Sequence, residues 1–312
     1  MDAGPGLRYG AAMSDVPVSV VLTTYNHAPF VAEALQAAVS QQWTALEVVV
    51  FDDASTDTTW DVITDFVARY DGPHTLVTHR QPTNVGPGLN TLQAVQKARG
   101  RFHIRAHGDD LSMPDRVAKV MSLQRRTGAT LITHNALKAA GVGAPSALIR
   151  HPTRTAALSI DHICSRGWTD QMLGATFCWD PTVFEVFGAF DRDLLARGGD
   201  HVLPLRAAML GGCWYLEASL VVWRQHKDQM TRKTADFGAS LEVVGETQKA
   251  YALTAQLQRL RDVRFMRSRG DRPDLARAEQ AVLQMVLNDA TAWAGFRGKL
   301  EDGGHTLRWR AR

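Results

Sequence analysis

Cysteine is scarce in this chain of 312 residues: Cys164, Cys178 and Cys213 are the full complement. Three thiols cannot build a disulfide framework, and none has the spacing of a paired metal ligand. They read as buried thiols of a reducing compartment. Long apolar runs are also lacking. Stretches such as Val48 to Phe51 and Leu220 to Trp223 are the longest, far below the about 20 residues a membrane-spanning helix needs. The opening MDAGPGLRYGAAMSD has no apolar stretch of the kind a secretory signal carries. Nor does one sign of charge dominate. With 35 basic and 32 acidic residues the net charge is +3, too even a mixture to argue for a nucleic-acid partner. Internal repeats and low-complexity tracts are missing as well. What is plentiful is apolar side chain, 45% of the sequence, which excludes wholesale disorder. The length allows one large α/β domain or two small ones.

The first half alternates two kinds of segment. Short β-branched runs occur at Val18–Thr23, Glu47–Phe51, Thr75–Thr78 and Phe102–Ile104. Segments with helical spacing lie between them, at Pro29–Val39, Thr58–Tyr70 and Gly88–Ala98. Nearly continuous apolar strands of this length suit a parallel sheet covered on both faces. Strand and helix in repetition predict a doubly wound α/β sheet. From about Gly141 to Gly167 the periodicity weakens, and the segment reads as an irregular loop over the substrate. Structure resumes at Gly174–Asp180, with a helix signal from Pro181. Long helical segments follow at about Ser240–Arg269 and Pro273–Phe296, and residues 303–312 read as frayed.

Ligands of open α/β sheets bind beyond the carboxyl ends of the strands. Here those ends are unusually polar. The first runs into Thr23-Thr24-Tyr25-Asn26-His27, the second into Asp52-Asp53-Ala54-Ser55-Thr56-Asp57. The third leads to Asn84-Val85-Gly86-Pro87, and the fourth to His107-Gly108-Asp109-Asp110. Singly, each is explicable: Asp57 as a helix-capping acid, Asn84 to Pro87 as a turn. Four polar ends on one edge of one sheet predict a ligand pocket.

These motifs, in this order, resemble the opening of the family 2 glycosyltransferases. The resemblance starts with Pro17 to Asn26 and Glu47 to Asp57 and continues through Asn84-Val85-Gly86-Pro87 with Asn90. It includes Gly108-Asp109-Asp110 with Pro114 and Arg116, and Gly174-Ala175-Thr176. Further on it takes in Phe187-Gly188-Ala189-Phe190-Asp191, Gly199-Asp200 with Leu203 and Arg206, and Trp223-Arg224-Gln225-His226. It covers about residues 16–232. It implies a GT-A-type, Rossmann-like, mostly parallel sheet flanked by helices. The domain organisation expected is a disordered tail over 1–15 and a GT-A domain over 16–235. That domain divides into a nucleotide-binding half, 16–112, and an acceptor half, 113–235. A helical C-terminal extension spans 236–312.

The resemblance also implies a chemistry: inverting transfer of a sugar from a nucleotide-sugar donor, UDP-linked by expectation, to a hydroxyl acceptor. A departing diphosphate needs its charge offset, and Mn²⁺ or Mg²⁺ on carboxylate oxygens does that. Asp109 matches the second acid of the family's acid-any-acid motif, with Asp110 beside it. His107 stands where the family has the first acid, and there it faces ribose or phosphate oxygens or the metal. His226 is expected to complete the metal site, with Arg224 near the diphosphate. Asp53, or else Asp52, is expected to read the base. Thr23 and Tyr25 line the nucleoside cleft, and Asn84 and Gly86 approach the nucleotide closely. Asp200 matches the family's catalytic base, although Gly199 replaces the Glu that usually precedes it; a plain helix N-cap is the competing reading. Trp168, Trp179 and Trp214 are either acceptor-stacking or simply core.

The tail holds Arg259, Arg261, Arg264, Arg267, Arg269 and Arg272. A solvated helix face is the ordinary explanation; contact with an anionic membrane or a partner is the sharper one. Leu275, Val282, Leu283, Val286 and Leu287 predict that the last helix packs on the domain or on a second subunit, as in a homodimer. The expected acceptor is a glycan, a lipid-linked molecule or a small hydroxyl compound. The expected location is the cytoplasm, or its membrane face if the acceptor is lipid-linked. A non-catalytic nucleotide-sugar-binding scaffold is the alternative, favoured by His107 and Gly199. A nucleotidyltransferase would need a Gly-rich loop with Lys or Arg near the first strand, which Thr23 to His27 does not supply.

Overall fold

The computed structural model describes residues 18–44, 46–140, 145–148, 154–165, 172–188, 190, 199–227, 229, 241–270 and 272–302. The expected N-terminal tail, Trp168, Asp191, the frayed end and parts of the 141–167 loop lie outside the described residues.

The first half follows the alternation in the sequence. β1 (Val18–Thr24), β2 (Leu46–Asp52), β3 (Thr75–Arg80) and β4 (Phe102–His107) are separated by α1 (Val31–Val39), α2 (Thr59–Arg69) and α3 (Pro87–Lys97). All pairings among these strands are parallel, with β1 between β2 and β4. The strands are apolar on both faces because helices cover both. Val18, Val20, Leu22, Val48 and Val50 share a core with α1 and with α4 (Arg116–Thr127). Val21, Val49 and Phe51 belong to the opposite core, which includes Ala94 and Val95 of α3 and residues from the C-terminal half.

Beyond β4 the sheet continues through β9 (Cys178–Trp179), β6 (Leu131–Ala140) and β10 (Cys213–Gln225) to the two-residue β5 (Leu111–Ser112). β9 is antiparallel to both β4 and β6, so β6 runs in the same direction as β4, and β10 is parallel to β6. The carboxyl ends of β1, β2, β4 and β10 therefore open on one edge of one sheet. β5 pairs antiparallel with β10, Leu111 opposite Val222, which draws the segment after β4 against the end of β10.

The 141–167 stretch departs from the expected irregular loop wherever it is described. β7 (Pro145–Leu148) pairs with β6, β8 (Ala156–Leu158) pairs with β10, and a turn of helix, α5 (Ile160–Ile163), follows. Ser159 caps α5, its Oγ accepting from the His162 N–H at 3.1 Å. Neighbouring strands supply the pairing that local periodicity did not announce. After the 3₁₀ turn Gly174–Thr176 come α6 (Thr182–Glu185) and α7 (Leu203–Leu210).

The C-terminal segment is two long helices, α8 (Leu241–Arg269) and α9 (Pro273–Asp302). They pack on each other and on α5 and α7. Leu275 and Val282 are buried as expected; Leu283 and Leu287 are exposed. Five arginines of the basic run, Arg261, Arg264, Arg267, Arg269 and Arg272, are exposed, as a solvated face requires, and Arg259 is the exception. Arg259 is fully buried, with Nη2 donating to the Ile163 carbonyl at 2.9 Å. Arg264 and Arg267 both pair with Glu279 of α9, and Arg272 pairs with Asp274. Among the described residues no helix is long and apolar enough to cross a membrane.

Candidate active site

The four polar strand ends converge as the sequence predicts, and each is held by the next. The Gly108 N–H donates to the Thr23 carbonyl, and the Asp53 N–H to the Thr24 carbonyl, both at 2.9 Å. Asn26, at φ 55°, adopts the left-handed conformation that Asn tolerates. Its side-chain oxygen accepts from the Thr56 N–H at 2.8 Å, bridging the first two loops.

Asp52 and Asp53 are both buried, and they do different work. Asp52 accepts from the N–H and hydroxyl of Ser55, and Arg80 lies 3.5 Å away. Asp53 accepts from the N–H groups of Val85 (2.8 Å) and Gly86 (2.9 Å), and Asn84 donates to its carbonyl at 3.1 Å. Asp53 thus fixes the Asn84–Gly86 turn. Burial pushes its carboxyl above the ordinary value, against the pull of those two N–H donors. Thr23 is half-buried at the end of β1, and Tyr25 beyond it is 39% exposed.

Asp109 is the centre of a cluster. Its Oδ2 lies 3.0 Å from His226 Nε2 and 3.6 Å from His27 Nε2. Burial alone would raise its carboxyl; the hydrogen bond with His226 and the neighbouring imidazoles of His27 and His107 overcome that and hold it down at about 2. Asp110 is oriented the other way. Its Oδ1 accepts from the Arg224 N–H at 3.0 Å, and its Oδ2 lies 3.4 Å from His107 Nδ1. Burial, and then the charge of Asp109, push Asp110 upward. Arg224 also pairs with Glu33 and lies over the Phe30 ring, while its buried Nη1 has no hydrogen-bond partner among the described residues.

Asp200 lies just ahead of α7 and pairs with a residue of β4. Its Oδ1 accepts from Arg105 Nη1, and its side chain is 32% exposed. Arg105 comes from the middle of β4 and is nearly fully buried. Gly174 makes room for this pair: a Cβ there would collide with Asp200 Oδ2. Arg116, also fully buried, fixes the 3₁₀ turn by donating to the Ala175 carbonyl at 3.0 Å. Arg206 holds Asp262 of α8 through Nε (2.6 Å) and Nη2 (3.1 Å). Trp179 is fully buried and Trp214 lies partly buried against the core.

His27 and Arg105 were not singled out from the sequence. His27 was visible only as one member of a polar strand end. Arg105 carried a stronger signal, a permanent charge in the middle of a central strand, since Arg is almost never fully buried without a partner.

Residues 19–197 match the sequence profile of Glycosyl transferase family 2. The chain belongs to that family. Its fold is of the GT-A type. The succinoglycan biosynthesis protein ExoO of Rhizobium meliloti is 31% identical over 125 residues, 40% of this chain and 34% of ExoO. The chain aligns with only about a third of the length of such curated relatives. Among solved structures, Staphylococcus aureus TarS 1–349 in complex with UDP superposes with a TM-score of 0.59 at 14% identity, over 95% of this chain and 94% of that one. The mannosyltransferase PcManGT of Pyrobaculum calidifontis, in complex with GDP-Man and Mn²⁺, gives 0.57 at 16% identity, over 94% and 76%.

Proposed function

We propose that this family 2 glycosyltransferase transfers a sugar from a nucleotide-sugar, UDP-linked, to a hydroxyl acceptor with inversion, in the assembly of a glycan or polysaccharide. The observation that supports the reading is that Asp109 follows β4 directly and Asp200 pairs with Arg105 of the same strand. The first is ringed by imidazoles and the second held by Arg105. One acid suits a cation and the other suits a base. Residues 16–112 form the nucleotide half, 113–235 the acceptor half, and 236–312 the helical extension.

The donor set at Asp109, an ionised carboxylate among imidazoles, fits a divalent cation, Mn²⁺ or Mg²⁺. When bound, the cation offsets the negative charge that develops on the leaving diphosphate. Asp109 would hold it, with the His226–His27 pair on one side and the His107–Asp110 pair on the other as available donors. Asp53 uses the lone pairs that Val85 and Gly86 leave free to accept the imide N–H of the base. Tyr25 and Thr23 line the nucleoside, and Asn84 and Gly86 form the wall that Asp53 fixes. The unpartnered N–H of Arg224 faces a phosphate oxygen. Arg105 grips one oxygen of Asp200 and leaves the other to take the acceptor hydroxyl's proton. ExoO is named for succinoglycan biosynthesis, which supports a polysaccharide role; the complexes of TarS with UDP and of PcManGT with GDP-Man and Mn²⁺ support a nucleotide donor and a metal.

Two measurements test the proposal. A thermal-shift screen of UDP-, GDP- and TDP-sugars with Mn²⁺ and Mg²⁺ should show stabilisation by the UDP series, because a ligand that binds the native state raises its apparent stability. Stabilisation by the GDP series alone would replace the donor, and no shift from any nucleotide would remove it. Asp200→Asn should retain that shift and lose turnover by about 10²-fold or more. Unchanged turnover would turn the reading toward another base.

A further inference from the structure

We propose that His27 joins Asp109 and His226 as a further protein ligand of the cation, and that this second imidazole biases the set toward Mn²⁺ or Co²⁺ over Mg²⁺. The inference rests on the glycosyl-transfer reading above and specifies its metal site.

Two donor groups meet at Asp109, and they differ in chemistry. On the far side, Asp110 turns one oxygen to the Arg224 N–H at 3.0 Å and the other to His107 at 3.4 Å, so that side offers a single imidazole. On the near side, Asp109 Oδ2 faces two imidazole nitrogens at 3.0 and 3.6 Å, and the three donor atoms lie within 4.8 Å of one another. Small side-chain adjustments would bring all three donor atoms within reach of one ion.

His27 is oriented for this role. Its other nitrogen, Nδ1, lies 3.2 Å from Thr24 Oγ1. An Nδ1–H donated to that hydroxyl leaves the lone pair on Nε2, the atom that faces Asp109; a metal-binding His is commonly fixed this way. Gly108 permits the arrangement, because a Cβ there would strike Thr24 Oγ1 and come within 3.0 Å of His27 Nδ1. The His27 backbone is anchored too, its N–H donating to Thr59 Oγ1 at 2.8 Å. The His226 ring lies 4.6 Å from that of Phe30, three residues beyond His27 in the same loop. Two imidazoles and one carboxylate suit transition metals, whereas Mg²⁺ prefers an all-oxygen shell and keeps its waters.

The test uses the full chain with UDP and Mn²⁺. Electron spin-echo spectroscopy should show two coordinated imidazole nitrogens in the wild type. His27→Ala and His226→Ala should each show one. Mn²⁺ affinity should fall about tenfold or more in His27→Ala, and His27→Gln, closer in volume, should behave likewise. Mg²⁺ in roughly hundredfold excess should leave most of the Mn²⁺ bound. A single nitrogen in the wild type, or His27 variants that bind Mn²⁺ as the wild type does, would overturn the inference and leave the glycosyl-transfer reading standing. UDP binding with no Mn²⁺ uptake would overturn the metal site as a whole. If the variants do not fold, the nitrogen count of the wild type still decides.

Discussion

At the scale of single residues, the two acids proposed for chemistry are held by different means. Asp109 is buried, and it stays ionised because imidazoles surround it. Asp200 is a third exposed and is gripped from one side by the guanidinium of Arg105. The space for that grip comes from an atom that is missing, the Cβ of Gly174. Gly174→Ala should therefore push Asp200 off Arg105 while leaving the fold intact. A misplacement of about 1 Å at a reacting group costs roughly 10²-fold. The expected result is kcat reduced by about that factor with an unchanged melting temperature. Full activity would show that Asp200 needs no such placement. The sequence pointed to Asp109 and Asp200 by motif. It could not show which of the neighbouring histidines faces Asp109, because His27 is 82 positions away in the chain.

At the scale of elements, the C-terminal helices are tied to the sheet-bearing part of the chain by a buried ion pair. Arg206 on α7 donates twice to Asp262 on α8, Gln258 donates to the same carboxylate at 2.9 Å, and Arg206 also lies 4.1 Å from the Phe190 ring centroid. Asp262→Ala would leave a guanidinium buried without its counter-charge, at a cost of about 3–5 kcal/mol. Replacing both partners, Arg206→Met with Asp262→Leu, should recover much of that loss. Urea unfolding of the two variants checks this: equal destabilisation would show that the cost lies in packing rather than charge. α7 follows directly on Asp200, and the His201 ring meets the Tyr251 ring of α8 edge-on at 5.2 Å. The helical extension therefore buttresses the segment that carries Asp200. Periodicity revealed α8 and α9 as helices; their docking partners were not legible, since Arg259 read as one of a run of surface charges.

At the scale of the whole molecule, the sheet buries a titratable group at its centre. His103 on β4 is fully buried, with Nε2 2.9 Å from the Gly100 carbonyl, and burial lowers its pKa to about 4. The native state thus resists a proton that the unfolded chain accepts near pH 6.5. Stability from this group is full above pH 6.5 and is lost as the pH falls toward 4, by about 3 kcal/mol in all. Urea midpoints measured from pH 7 to pH 4.5 should fall, and His103→Leu should flatten the decline. A variant that declines as steeply as the wild type would place the acid sensitivity elsewhere. Strands β1 to β4 were legible as runs. β6 and α4 were not picked out, because their polar and charged residues, such as His134 and Arg116, are paired inside the fold rather than exposed.

The sequence by itself determined the alternation of strand and helix, the polar strand ends and the family. Those depend on residue type and local spacing, which periodicity and motif order record. Only the tertiary structure decided that β9, antiparallel to both neighbours, lets β6 and β10 run with β4. That direction delivers Arg224 and His226 to the edge where Asp109 lies. It also decided that His27 faces Asp109, that Arg105 holds Asp200 and that Arg259 is buried. These are contacts between residues far apart in the chain. Burial and charge pairing set them, and neither is written in the spacing of any one segment.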